Sequence, residues 1–323
     1  MPLELGEAEE YRALVDQRLE HVVPVGEPLV LVSQVQRSGG TLLSQLFDGH
    51  PEVHSHPHEL KIGYPREANW PPIDPADPAG TFERLFEKKA LTHLLEGYRK
   101  PGAKEDETVG RFDVFPFMFS PRLQKAIFDA RSAGATSERE VLDAYFTAYF
   151  NAWLDNQNLY TGPKRAVTGF TPRLAMEAAN RDRFVAAYPD GTLIAIVREP
   201  RSWYASAARY SPRRFPDVDT AMKLWRASAE AALDERVVAI TYEQLVSDTE
   251  QVMARLAERI GIAMAQVLLQ PTFNGRPIKA NSAGEVDRYG ILPSRGEAEL
   301  DAETESRVAE LAGDLYERAS SKP

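Results

Sequence analysis

Five residues, Arg37-Ser38-Gly39-Gly40-Thr41, break the stretch VLVSQVQRSGGTLLSQLFDGHPEV (30–53) between an apolar run and an amphipathic one. With the run a buried strand and the rest a helix, the turn aims several backbone N–H groups and the positive helix end at one point. An anion belongs at such a point. Gly39 and Gly40 let backbone approach it closely, Ser38 and Thr41 offer hydroxyls, and Arg37 offers a charge-assisted hydrogen bond. A plain tight turn feeding a helix would use the same residues, so a second anchor has to separate the two readings.

That anchor lies in IAIVREPRSWYASAARYSPRRF (194–215). An apolar run ends at Arg198, a helix begins near Pro200, a residue suited to a first helical turn, and Ser206 follows Arg198 by eight residues. Arg198 and Ser206 converge on one anion if the loop folds back. Arg201, Arg209, Arg213 and Arg214 accompany them. Such a run is ordinarily a solvated face, but this one follows a predicted strand, where ligands of open α/β sheets bind. Neither G-x-x-x-x-G-K-[ST] nor G-x-G-x-x-G occurs. Without a Lys after the glycines, kinase chemistry lacks its usual phosphate ligand.

Groups able to take a proton lie close by, in HPEVHSHPHELKIG (50–63). Its carboxylates and imidazoles could do general-base work. His54, His56 and His58 would share one face of a strand, a spacing that suits a metal. No cysteine or carboxylate motif completes such a site, and no metal is expected. Lys61 and Arg66 read as solvated cations.

The elements that must position these residues are short. PLVLVSQV (28–35), RAVTGF (165–170), TLIAIV (192–197) and RVVAIT (236–241) read as buried strands separated by helical patterns. That is the signature of an α/β chain with a central parallel sheet flanked by helices. SERE (137–140) reads as a capping box opening a helix through VLDAYFTAYFNAWL. A last helix is expected over 301–318. NWPPIDPADPAG (69–80) reads as an ordered loop or lid. The aromatics of FDVFPFMFSP and YFTAYFNAWLDNQNLY (145–160) could line a pocket, but read as a helix the second puts several of them on a core-facing stripe more readily. The chain reads as a single domain, 1–323, with a largely helical substrate-side insertion at about 60–164.

Hydrophobic residues make up 43% of the 323 and charged residues 27%, as in an ordinary globular protein. A net charge of −10 argues against a general nucleic-acid binder, so any anion site must be local. The chain has no cysteine, which excludes disulfides and thiolate chemistry. The acidic, helical beginning lacks a secretory pattern, and no apolar run approaches a membrane span. A cytoplasmic protein without stable membrane insertion is expected.

Together, QRSGGTLL, VREPRSWYAS and ITYEQLVSDTEQVMARLAERIGI (240–262) resemble, in that order, the PAPS-dependent sulfotransferase family over 28–48 and 192–262. Arg37 stands where many members have Lys and where the carbohydrate and tyrosylprotein branches have Arg, so the chain looks nearer those than the cytosolic branch. The resemblance implies a P-loop nucleotide-kinase-like sulfotransferase fold. It implies 3′-phosphoadenosine 5′-phosphosulfate (PAPS) as sulfuryl donor, 3′-phosphoadenosine 5′-phosphate (PAP) as product, and no metal. The acceptor would be a hydroxyl or amine of a small molecule, glycan or lipid. Carried over by residue, Arg37 neutralises the sulfuryl and bridging oxygens, while Ser38, Gly39, Gly40, Thr41 and Leu42 cradle the 5′ phosphate. Arg198 and Ser206 hold the 3′ phosphate, Tyr242 lies near the adenine, and Arg276 and Lys279 of FNGRPIKANS (273–282) close over the 3′ phosphate. Glu59, with His58 as rival, is the base. Two alternatives stay open: a phosphotransferase on a P-loop-like scaffold, and a catalytically inactive nucleotide-binding protein.

Overall fold

Five strands pair in parallel in the spatial order β2-β3-β1-β4-β5: β1 (Leu29–Val32), β2 (Val53–Glu59), β3 (Ala166–Phe170), β4 (Thr192–Val197) and β5 (Val237–Thr241). The computed structural model describes residues 5–60, 70, 72–86, 88–95, 117–277 and 300–322. The chain divides into two compact units, and the sheet belongs to the one built from Glu27–Pro71, Ala103–Glu107 and Pro163–Pro323. From β1 the chain turns toward β2 on one side, and from β4 toward β5 on the other. The carboxyl ends of the adjacent strands β1 and β4 therefore flank the point where strand order reverses, the place where open α/β sheets bind ligands.

Both faces of the sheet are covered, which is why its strands read as unbroken apolar runs. On one face Val30, Val32, Ile194, Ile196 and Ile240 pack with Leu43, Leu46 and Phe47 of the Gly40–Phe47 helix and Met253 and Leu256 of the Thr249–Ile260 helix. Each such side chain contributes about 1.5–3 kcal/mol by leaving water. The Val218–Ala232 helix, carrying the buried Met222 and Trp225, lies against β4. The expected last helix is broken in two, Ala302–Ala312 and Leu315–Ser320, at Gly313, whose φ is 55°.

Strand β2 departs from expectation. It is not an apolar run, and its register against β3 shifts: Ser55 pairs with Thr168, but Glu59 pairs with Phe170. Extra residues around Pro57, which has no N–H to give a ladder, form an irregular bulge. The regular alternation that would have put His54, His56 and His58 on one face is lost there.

The second unit consists of Met1–Gly26, Pro72–Gly102 and Thr108–Gly162, and its named elements among the described residues are helices. Ser137 caps the Glu138–Ala152 helix by accepting from Glu140 N, as its sequence predicts. Tyr145, Phe146, Tyr149, Phe150 and Trp153 are buried, so this aromatic stripe is core. Thr147 Oγ1 and Asn151 Oδ1 accept from Val25 N and Val23 N, both at 2.9 Å, fastening an extended segment along the helix. The proline-rich stretch is not all loop: Asp77 caps a helix over Pro78–Leu85.

Candidate anion site at the carboxyl edge of the sheet

The loop that leaves β1 is held residue by residue from different elements. Val35 N donates to Ser228 Oγ (2.9 Å), Gln36 O accepts from Trp203 Nε1 (2.8 Å), and Gln36 Oε1 accepts from Arg173 Nε (2.8 Å). Arg37 O accepts from Arg198 Nη1 (3.2 Å). With its carbonyl so held, Arg37 adopts φ 74°, a left-handed conformation uncommon for a residue with a side chain. The turn ends at Gly39, the residue before the Gly40–Phe47 helix, where no side chain caps the first N–H groups. Leu43 N reaches Gly39 O, but no preceding carbonyl can serve Gly40, Thr41 and Leu42, whose N–H groups open the helix.

Both glycines are demanded from behind, by the protein itself. A Cβ on Gly39 (φ 103°) would lie 2.6 Å from Tyr242 Cδ2, and one on Gly40 would lie 2.1 Å from Gln34 Nε2 and 2.4 Å from Phe170 Cε2. Close packing under the turn thus explains them before any ligand is invoked. Thr41 is exposed at the helix start, whereas the Leu42 side chain lies in the core, so Leu42 offers only its backbone.

Arg37 and Arg198 are brought together. Arg37 Nε donates to Ser206 Oγ at 3.3 Å, and its guanidinium lies 4.6 Å from the ring centroid of Tyr210, one helical turn beyond Ser206. Arg198 lies 4.6 Å from the ring centroid of Tyr242, which therefore touches both Gly39 and Arg198. Trp225 Nε1 donates to Arg198 O at 2.9 Å and fixes the strand end. Burial, together with like charge on Arg198 and Arg209, pulls the Arg37 guanidinium below its usual range although Tyr210 and Tyr242 oppose the shift. The Pro200–Tyr210 helix has its own anion at its start, because the Glu199 carboxylate accepts from Arg201 N (3.0 Å) and Ser202 N (2.7 Å). Anion binding at Ser206 is consequently a matter of side chains, not of that helix's dipole.

Several buried polar atoms at this edge have no hydrogen-bond partner among the described residues: Ser38 Oγ, Arg198 Nε, and both amide atoms of Gln34. Ser38 and Gln34 are each 1% exposed. A buried donor without a partner costs about 1–3 kcal/mol, and a bound oxyanion would satisfy the hydroxyl and the guanidinium. These residues fit a phosphate group.

The candidate bases sit at the end of β2. His56 Nδ1 donates to His58 O and His58 Nδ1 to Glu59 O, both at 2.8 Å. Carbonyls only accept, so both rings carry their proton on Nδ1 and the lone pair on Nε2. Burial pushes His58 down to about 4, His54 to about 3 and His56 well below its usual value. These rings are neutral at neutral pH. Among the described residues no group of three or more His, Asp or Glu is arranged to hold a metal ion.

Arg276 is exposed on a hairpin, Thr272–Phe273 with Arg276–Pro277, whose Thr272 Oγ1 (2.7 Å) and Gly275 N (2.8 Å) donate to the buried Asp48 carboxylate. Asp48 caps the carboxyl end of the Gly40–Phe47 helix, roughly 12 Å from the cradle end for eight residues. Lys61, Arg66 and Lys279 lie outside the described residues. Sequence reasoning missed Gln34, Gln36, Arg173 and Tyr210; only Tyr210, four residues after Ser206 on one helix, carried a readable signal.

A family model described as "Sulfotransferase family" matches residues 28–266. No curated protein matches the chain. Among solved structures, the chain is similar to a sulfotransferase domain from the curacin biosynthetic pathway (18% identity, 90% of this chain and 99% of that one, TM-score 0.44). It is also similar to the sulfotransferase domain of the Synechococcus PCC 7002 olefin synthase (18%, 90% and 97%, 0.46) and to a sulfotransferase from Alicyclobacillus acidocaldarius (11%, 91% and 95%, 0.45). The matched span takes in the anion cradle after β1, the arginine that follows β4 and Tyr242 directly after β5, and by that match the chain belongs to the sulfotransferase family.

Proposed function

We propose that the protein is a PAPS-dependent sulfotransferase acting on a hydroxyl or amine of a small-molecule, glycan or lipid acceptor, and that it works as one sulfotransferase-like domain. The observation that carries this reading is the pairing of two anion anchors at one switch point. Ser38 Oγ and the open N–H groups after β1 form one, and Arg198 with Ser206 after β4 forms the other, joined through Arg37. A single phosphate needs one anchor; a nucleotide with separate 5′ and 3′ phosphates needs two.

When bound, the donor supplies a sulfuryl group whose transfer breaks its S–O bond to the 5′ phosphate, forms a bond to the acceptor atom, releases PAP and leaves the acceptor's proton to be taken up. Ser38 and the N–H groups of Gly40, Thr41 and Leu42 bind the 5′ phosphate, and Arg37 neutralises charge beside it. Arg198 and Ser206 hold the 3′ phosphate, with Arg276 and Lys279 as further basic candidates. Tyr242 serves the nucleotide through Gly39 and Arg198, which its ring touches. Glu59 takes the proton, with His58 Nε2 the alternative acceptor. Arg37 favours the carbohydrate and tyrosylprotein branches as relatives.

Calorimetric titration with PAP beside ADP, without added metal, tests the reading. A preference for PAP is expected, and Arg198→Ala should weaken PAP by about 10-fold to 150-fold, the value of a charge-assisted hydrogen bond of roughly 1.5–3 kcal/mol. Glu59→Gln should keep that affinity and lose transfer. Equal binding of PAP and ADP would remove the 3′-phosphate anchor and with it the sulfotransferase mechanism.

A further inference from the structure

Three neighbouring strands, β3, β1 and β4, are each followed at their carboxyl ends by an arginine: Arg173, Arg37 and Arg198. Two of these are also backbone outliers. Arg37 (φ 74°) and Arg173 (φ 69°) are, with Asn274, the non-glycine residues of positive φ among the described residues. Such strain persists only where surroundings over-determine it, and it collects at functional sites. Arg173 precedes the short Leu174–Met176 turn without making any side-chain cap bond. Gly or Asn would serve that turn with less strain, so the backbone offers no reason for arginine here.

The surroundings show what the side chain is held for. Arg173 N donates to Gln34 O (3.0 Å), and Arg173 Nε donates to Gln36 Oε1 (2.8 Å). The guanidinium is thus tied to the residue directly before Arg37. Along the sheet edge the order is Glu59 and His58 on β2, Arg173 after β3, Arg37 after β1, and Arg198 after β4. The 3′-phosphate anchor lies at the β4 end and the proton acceptor at the β2 end. Arg173 stands between the cradle and the proton acceptor, the interval that a sulfuryl group crosses.

We propose that Arg173 is a catalytic residue that binds the sulfuryl oxygens of the donor and stabilises their charge during transfer. This rests on the sulfotransferase reading above. PAP and PAPS differ by the sulfuryl group alone, so their affinities separate the two proposals without any turnover.

The experiment is calorimetric titration of the full chain with PAP and with PAPS, no acceptor present, for the native protein, Arg173→Asn and Arg198→Ala. Asn tolerates positive φ and removes the charge. Arg173→Asn is expected to weaken PAPS about 10-fold and to leave PAP within about twofold, while Arg198→Ala weakens both. If the Asn variant does not fold, Arg173→Lys, which keeps charge but loses the fork, is expected to lose PAPS affinity selectively by a smaller factor. An equal fall for both nucleotides would make Arg173 a mere support of the loop, no fall for either would leave it without a part in binding, and each of these results would overturn the proposal. Failure of the native protein to bind PAP would overturn the sulfotransferase reading itself.

Discussion

Gly39 is the residue on which the cradle turns, and two separate costs protect it. Its φ of 103° is unfavourable for any side chain, and a Cβ there would meet Tyr242 at 2.6 Å. Gly134, with φ 83° and open space around its Cβ position, carries only the first cost. Gly134→Ala is therefore expected to lose about 1–2 kcal/mol and Gly39→Ala roughly 2–4 kcal/mol, since overpacking adds to strain. Urea midpoints measure both, and PAP affinity should fall only for the second. Equal losses would mean that the Tyr242 ring yields freely and does not fix the turn. Gly39 itself was legible in the sequence, because glycine in a strand-to-helix turn is a local signal. Arg173 was not. Positive φ at an arginine is imposed by hydrogen bonds to Gln34 and Gln36, residues more than 130 positions away, and leaves no trace in spacing.

At the scale of elements, β2 is the strand that apolar runs do not reveal. The strands β1, β3, β4 and β5 are covered on both faces and so read as continuous hydrophobic runs, whereas VHSHPHE buries histidines instead. That substitution has a cost in acid. The unfolded rings protonate near their ordinary value of 6.5, while His58 resists until about pH 4 and His54 until about pH 3 because burial disfavours the charged ring. Folded pKa values below the unfolded ones mean that stability is fully present above pH 6.5 and is lost as pH falls through the window to about 4. The slope is at most about 1.4 kcal/mol per pH unit for each ring. Asp48 works in the opposite sense, since burial raises its carboxyl above the ordinary 3.8 and protonation there favours the folded state. Urea unfolding between pH 7 and 4 should show the decline, and His54→Asn should flatten it by one ring's share. A flat profile in the native chain would mean that β2 opens to water before it titrates.

At the scale of the molecule, every residue assigned to chemistry belongs to the sheet-bearing unit, while in the helical unit Tyr145, Phe146, Tyr149, Phe150 and Trp153 are buried. The charge balance points the same way: a chain of net −10 gathers Arg37, Arg173 and Arg198 on one sheet edge, so the proposed affinity for an anionic nucleotide would have to come from a few fixed contacts. Binding of PAP at a hundred times its Kd adds about 2.7 kcal/mol to whatever cooperative unit holds it. Hydrogen exchange with and without PAP locates that gain. Slowing is expected at residues 38–43, where the Gly40, Thr41 and Leu42 N–H groups lack intrahelical partners, and at 198–210, where Arg198 and Ser206 lie. Residues 138–152 of the helical unit should exchange at an unchanged rate. Protection spreading into that helix would show that the nucleotide site draws on both units, and the assignment of the cradle to the sheet edge alone would then fail.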